Sequence, residues 1–82
     1  MDAILRCKLR VFSVYQCKNA AGGIDHEIVK LNAVYSNDPN SENKQWSVYT
    51  PSAEFTIQIN NPSAFGKLSS GHEYYVDFIP CP

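Results

Sequence analysis

The residues of this chain whose types could do chemistry are His26, His72, the three cysteines and a short stripe of basic residues. His26 lies in Asp25-His26-Glu27. Successive residues of a strand point to opposite faces, so one imidazole and its two neighbouring carboxylates cannot surround a metal ion. His72 follows Gly71 and reads as a loop residue. The cysteines show no C-x-x-C spacing that would hold zinc. Cys7 and Cys17 flank one expected strand, which at ~3.3 Å per residue holds them too far apart to bridge. Cys81 meets one of them only if strands lie side by side. All three are read as reduced thiols, with Cys7 and Cys17 pointing inward as small apolar residues. No serine sits in a nucleophile elbow. Gly22-Gly23 lacks the Lys-Ser/Thr of a phosphate loop. Glu73 and Asp77 share a strand face and read as a solvated edge. The chain is therefore expected to catalyse nothing and to need no cofactor or metal.

Recognition is the remaining chemistry, and two surfaces compete for it. Arg6, Lys8 and Arg10 alternate with apolar residues and form a basic stripe. With Tyr75 as a stacking platform, or Tyr49 or Trp46 in its place, the stripe suits single-stranded nucleic acid. The overall charge argues against this, since 7 basic residues face 8 acidic ones for a net charge of −1. The second surface is the polar stretch Ser36–Lys44, bordered by Trp46. Tryptophan and tyrosine anchor protein interfaces, and amides and hydroxyls beside them supply adaptable hydrogen bonds. Asn40, Glu42, Lys44 and Trp46, with Tyr75 and Asp77 of the last strand, are the candidate protein-binding residues.

Short alternating segments must position these groups. Ala53–Asn60 has apolar odd positions and polar even ones, which marks a strand with one buried face. Leu5, Cys7, Leu9 and Val11 alternate with Arg6, Lys8 and Arg10 in the first strand. The parity then slips, with Phe12 and Val14 taking the apolar beat. A β-bulge near Val11–Ser13 predicts such a slip, as does one long strand serving two halves of a sheet. Gly22-Gly23 turns the chain into a second strand with Val29, Leu31, Ala33 and Tyr35 on one face and Glu27 at its edge, outside the core. Ser36–Lys44 reads as a solvated loop and Trp46–Tyr49 as a short strand stopped by Pro51. Asn61-Pro62-Ser63-Ala64-Phe65-Gly66 reads as one helical turn, with Phe65 sealing the core. The last strand turns Tyr74, Val76 and Phe78 inward and Tyr75, Asp77 and Ile79 outward. The sum is a mainly β domain spanning residues 1–82. It is expected to be a small five-stranded antiparallel barrel or rolled sheet, of which an OB-like fold is one form, with a short helix between strands four and five. An open antiparallel sheet with the helix on one face is the rival.

At 82 residues the chain makes one small domain of modest stability. No apolar run approaches the ~20 residues that cross a bilayer, so no membrane partner is expected. The first residues lack the pattern of a signal peptide, and an intracellular location is expected.

Three strings carry a likeness to a known group: Leu31–Ser47, Asn61–Gly66 and Gly71–Phe78. Together they resemble a family of small uncharacterised proteins of tailed bacteriophages and prophages, over most of the chain after Lys30. The family has no assigned activity, so no functional residue carries over. The resemblance implies a viral origin and residence in the host cell cytoplasm. Small phage proteins without enzymatic motifs commonly occupy a surface. That surface belongs to a host defence complex, as with anti-CRISPR proteins, or to the virion. Others coat single-stranded DNA during replication.

Overall fold

The computed structural model describes residues 2–82. Its regular elements are β1 (Leu5–Lys18), β2 (Ile24–Ala33), α1 (Glu42–Tyr49), β3 (Glu54–Ile59), a 3-10 turn (Pro62–Ala64) and β4 (Glu73–Phe78). The four strands form one open antiparallel sheet in the order β3-β2-β1-β4. The expected mainly β class holds, but the fifth strand and the closed barrel do not. The chain spans 49 × 36 × 16 Å, the proportions of a plate.

The missing strand is the segment Trp46–Tyr49, which is helical. Its β-prone side chains suggested a strand, but tertiary contacts and a cap override that preference. Ser41 is the N-cap, and its Oγ accepts a hydrogen bond from the Lys44 N–H at 3.1 Å. Glu42 occupies the first turn, where an acid suits the helix dipole. Glu42 and Trp46 bond at i, i+4 spacing, and so do Gln45 and Tyr49. Thr50 and Pro51 end the helix. The expected solvated loop therefore stops at Ser41.

β1 serves both halves of the sheet. Leu5–Arg10 pair with β4, and Leu9–Lys18 pair with β2. The register shifts between Val11 and Ser13, where the bulge was expected. Phe12 is the inserted residue and is exposed, so it leaves the apolar face while Val14 takes it up. The same shift moves Cys17 to the face opposite Cys7, correcting its inward placement: it pairs with His26 and is only half-buried. The β1–β2 turn is fixed by Asn19, whose Oδ1 accepts from the Ala21 and Gly23 amides. Gly22 takes φ +88° there.

The core lies on one face. Cys7, Leu9, Val11, Val29 and Leu31 are buried, with Val14, Ala33, Phe55, Ile59, Tyr74 and Val76 packed around them. The cover is the β3–β4 connection, which crosses this face from one edge of the sheet to the other. Leu68 supplies the apolar contact there, in the role expected of Phe65, which is only half-buried. The helical turn is a single 3-10 turn, capped by the Asn61 side chain, with Gly66 at φ +76° behind it. Phe55 and Phe78 sit on opposite edge strands, ~14 Å apart in a flat sheet. Their rings nonetheless meet edge-on at 5.8 Å, so the sheet curls toward its core face without closing. β2 ends at Ala33, which leaves Tyr35 exposed and brings Val34 inside.

Glu27 departs furthest from expectation. It is fully buried rather than at the margin of the core. Its Oε2 accepts from Gln16 Nε2 at 2.6 Å and from the Gly66 N–H at 3.0 Å, tying the crossing connection to the sheet. Truncating it cuts the tie between the crossing connection and the sheet and leaves a void in the buried face, so Glu27→Ala should destabilise the fold by about 1–3 kcal/mol in urea unfolding. Glu27→Gln keeps an acceptor and should cost less.

Candidate functional site

The polar face of the sheet is built by two strands running in opposite directions. β1 presents Arg6, Lys8 and Arg10, and β4 presents Asp77, Tyr75 and Glu73 directly opposite them. Cross-strand neighbours on one face interact, and here each base meets an acid or an aromatic ring. Arg6 donates to both oxygens of Asp77, at 2.6 and 2.9 Å. Arg10 donates to Glu73 Oε2, at 2.5 Å from Nη2. Lys8 Nζ lies 3.5 Å from Glu42 and 3.7 Å from Glu73. Its side chain is 13% exposed, so little of it faces water.

α1 is fastened over this array. Trp46 Nε1 donates to Glu42 Oε1 at 3.0 Å, and the Tyr75 hydroxyl donates to the same oxygen. Asn43 Nδ2 donates to Glu73 Oε2 at 2.9 Å. The Trp46 and Tyr75 rings are 5.7 Å apart and tilted by 54°. The Arg6 guanidinium and the Lys8 ammonium lie 5.2 and 5.6 Å from the centre of the Tyr75 ring. No residue of α1 is fully buried, so this cluster, and not an apolar stripe, holds the helix down.

The network fixes the charges. Hydrogen bonds from Tyr75 and Trp46, and the charge of Lys8, hold the Glu42 carboxyl below its ordinary range. The bond to Arg6 does the same for Asp77 and raises Arg6 in turn. Burial pushes the Glu73 carboxyl up, but the bonds from Arg10 and Asn43 and the charges of Arg10 and Lys8 outweigh it. The bond to Glu42 raises the Tyr75 hydroxyl. On the core face, burial raises the Cys7 thiol, which suits packing rather than attack.

The candidates of the two rival surfaces thus fall into one place. Arg6, Lys8, Arg10, Glu42, Trp46, Tyr75 and Asp77 share a single network. Trp46 is a half-buried strut rather than a free anchor. Asn40 and Lys44 lie on the far side of α1. There they border an open depression of about 570 Å³ with Pro39, Gln45, Val48 and Tyr49. Sequence reasoning did not place Glu73 and Asn43 in the network, nor Val48 on the outer surface. The signal for Glu73 was present: Arg-x-Lys-x-Arg and Glu-x-Tyr-x-Asp match in antiparallel order. His26 bonds to Asp25 at 2.8 Å and is partly covered. Among the described residues, no three His, Cys, Asp or Glu side chains converge as a metal site. Nor is any helix among them long and apolar enough to cross a membrane.

Comparison of the chain with protein families, curated proteins and solved structures finds no match.

Acid should release α1. Glu42, Glu73 and Asp77 ionise more readily in the fold than their ordinary values of 4.5, 4.5 and 3.8. A depressed carboxyl stabilises the fold at pH above its unfolded value, and the gain is lost as pH falls through the folded one. Stability should therefore decline from about pH 5 downward. Trp46 fluorescence should change in the same window, and Tyr75→Phe, which removes one donor to Glu42, should move that change to higher pH.

Proposed function

We propose that this chain is a phage-encoded, non-catalytic binding protein that works stoichiometrically in the host cytoplasm by covering part of a protein complex. A host defence complex, inhibited in the manner of anti-CRISPR proteins, is the favoured target. A virion component, in a decoration or assembly role, is the alternative protein partner. The viral setting rests on the resemblance of Leu31–Ser47, Asn61–Gly66 and Gly71–Phe78 described above.

The observation that carries the binding role is the outward side of α1. Val48 and Tyr49 are 65% and 69% exposed at the rim of the depression bordered by Asn40, Lys44 and Gln45. An aliphatic and an aromatic group ringed by amides, a hydroxyl and one charge of each sign, Lys44 and Glu42, suits a protein-binding surface. Trp46 and Tyr75 act one layer below, holding the helix that presents this surface.

Single-stranded nucleic acid is the weaker reading. Arg6, Lys8 and Arg10 each have a carboxylate partner at 3.7 Å or less, and a phosphate would have to displace it. The Tyr75 hydroxyl is also engaged by Glu42.

Affinity capture from host lysate, compared between the native chain and a Val48→Ser/Tyr49→Ala variant, tests the proposal. One protein retained in stoichiometric amount is expected, with affinity about 30-fold weaker or worse in the variant. Both positions are exposed, so the variant should keep its circular dichroism. Equal capture by both chains refutes this surface. An oligothymidine titration at low salt should show no saturable binding, and salt-sensitive binding there would favour the nucleic-acid reading instead.

A further inference from the structure

An open sheet has two free edges, and this chain treats them differently. Unpaired strand edges invite another strand, and proteins guard them with charge, proline, bulges or cover. The β4 edge carries Glu73 and Asp77. The β3 edge carries one charge, Glu54, at its first residue, and from Phe55 to Ile59 no charge, proline or register shift interrupts it. Ala33 donates its N–H to Ala53, and in an antiparallel ladder such bonds recur at every second residue. Phe55, Ile57 and Ile59 therefore turn their backbone groups toward β2. Glu54, Thr56 and Gln58 turn theirs outward, and their backbones have no partner beyond the sheet among the described residues.

We infer that the β3 edge pairs with the β3 edge of a second copy of this chain, joining two sheets into one of eight strands. The argument for a second copy is the symmetry of the strand about Ile57. Antiparallel pairing on a two-fold axis through Ile57 sets Phe55 against the partner's Ile59 and Ile57 against its equivalent, all on the core face. Thr56 then meets Gln58, and Glu54 meets Asn60, so no like charges oppose each other. The outward backbone groups fall at the hydrogen-bonded pairs of that register. Ile57 is 39% exposed in the single chain and lies at the centre of the new contact. On β4 the register centred on Tyr75 would set Glu73 against Asp77, so acids oppose acids there. Pairing through β3 alone closes as a dimer, because an isologous contact uses up its own surface. This contact lies on a different element from the α1 surface and stands whether or not that surface binds a partner.

Sedimentation equilibrium with reductant present, which keeps the exposed Cys81 from cross-linking, reads the outcome. The native chain should dimerise. Ile57→Lys, which places two cations on the axis, and Thr56→Pro, which deletes an outward N–H, should each raise the dissociation constant about 100-fold or more. Thr56→Pro removes no bond to β2, so its far-ultraviolet circular dichroism should match the native chain. The Gln58 amide of the native chain should exchange slowly with deuterium and become fast in Ile57→Lys. A native chain that stays monomeric at high micromolar concentration, a dimer that survives both substitutions, or a fast Gln58 amide in the native dimer would overturn the inference.

Discussion

The structure depends on one strand giving its two faces to different environments. Between Arg6 and Val11 of β1, side chains alternate between an ion-paired array and the core. Arg6, Lys8 and Arg10 enter the array, and Cys7 and Leu9 enter the core. Strand geometry makes the choice all-or-none, because a slip of one residue would exchange the two sets. The bulge at Phe12 performs that exchange once, deliberately placed where β1 leaves β4 behind and continues alone with β2. β1 can thus be 14 residues long and still keep an apolar face under the crossing connection.

The polar array is a fastening more than a source of stability. Exposed ion pairs contribute little individually, since water screens them and long side chains lose freedom. Their value here is geometric. Glu42 receives Trp46, Tyr75 and Lys8 together, and this convergence sets where an eight-residue helix with no buried residue lies on the sheet. Such a helix costs little to dislodge.

Much of this was legible in the residues. Alternation revealed β1, β2, β3 and β4 and the core set Cys7, Leu9, Val11, Val29 and Leu31. The parity slip revealed the bulge, and Asn61-Pro62 revealed the 3-10 turn. The helix was hidden because its sequence has no apolar stripe and its tail, Trp46-Ser47-Val48-Tyr49, favours strands in isolation. Its decisive contacts are with Lys8, Glu73 and Tyr75, far along the chain, where local pattern is blind. Glu27 was hidden for a related reason. A carboxylate in a strand reads as wet, and only the return of Gly66 across the face brings it a donor from far along the chain. Plain alternation puts Cys17 on the core face, but the residue inserted at the bulge turns every side chain beyond it to the opposite face.

The sheet order has a consequence for assembly during synthesis. β1 is made first, yet its partner along Leu5–Arg10 is the final strand, and the Arg6–Asp77 bond closes a separation of 71 residues. The hairpin of β1 and β2 and the addition of β3 can proceed while the chain is still emerging. The seam with β4 cannot. Until that strand arrives, the leading half of β1 has an open flank, and Arg6 and Arg10 lack their acidic partners beside an apolar strip. Loop-closure entropy therefore weighs most heavily on this long-range seam, and the unpaired flank of β1 is open to other strands until it closes.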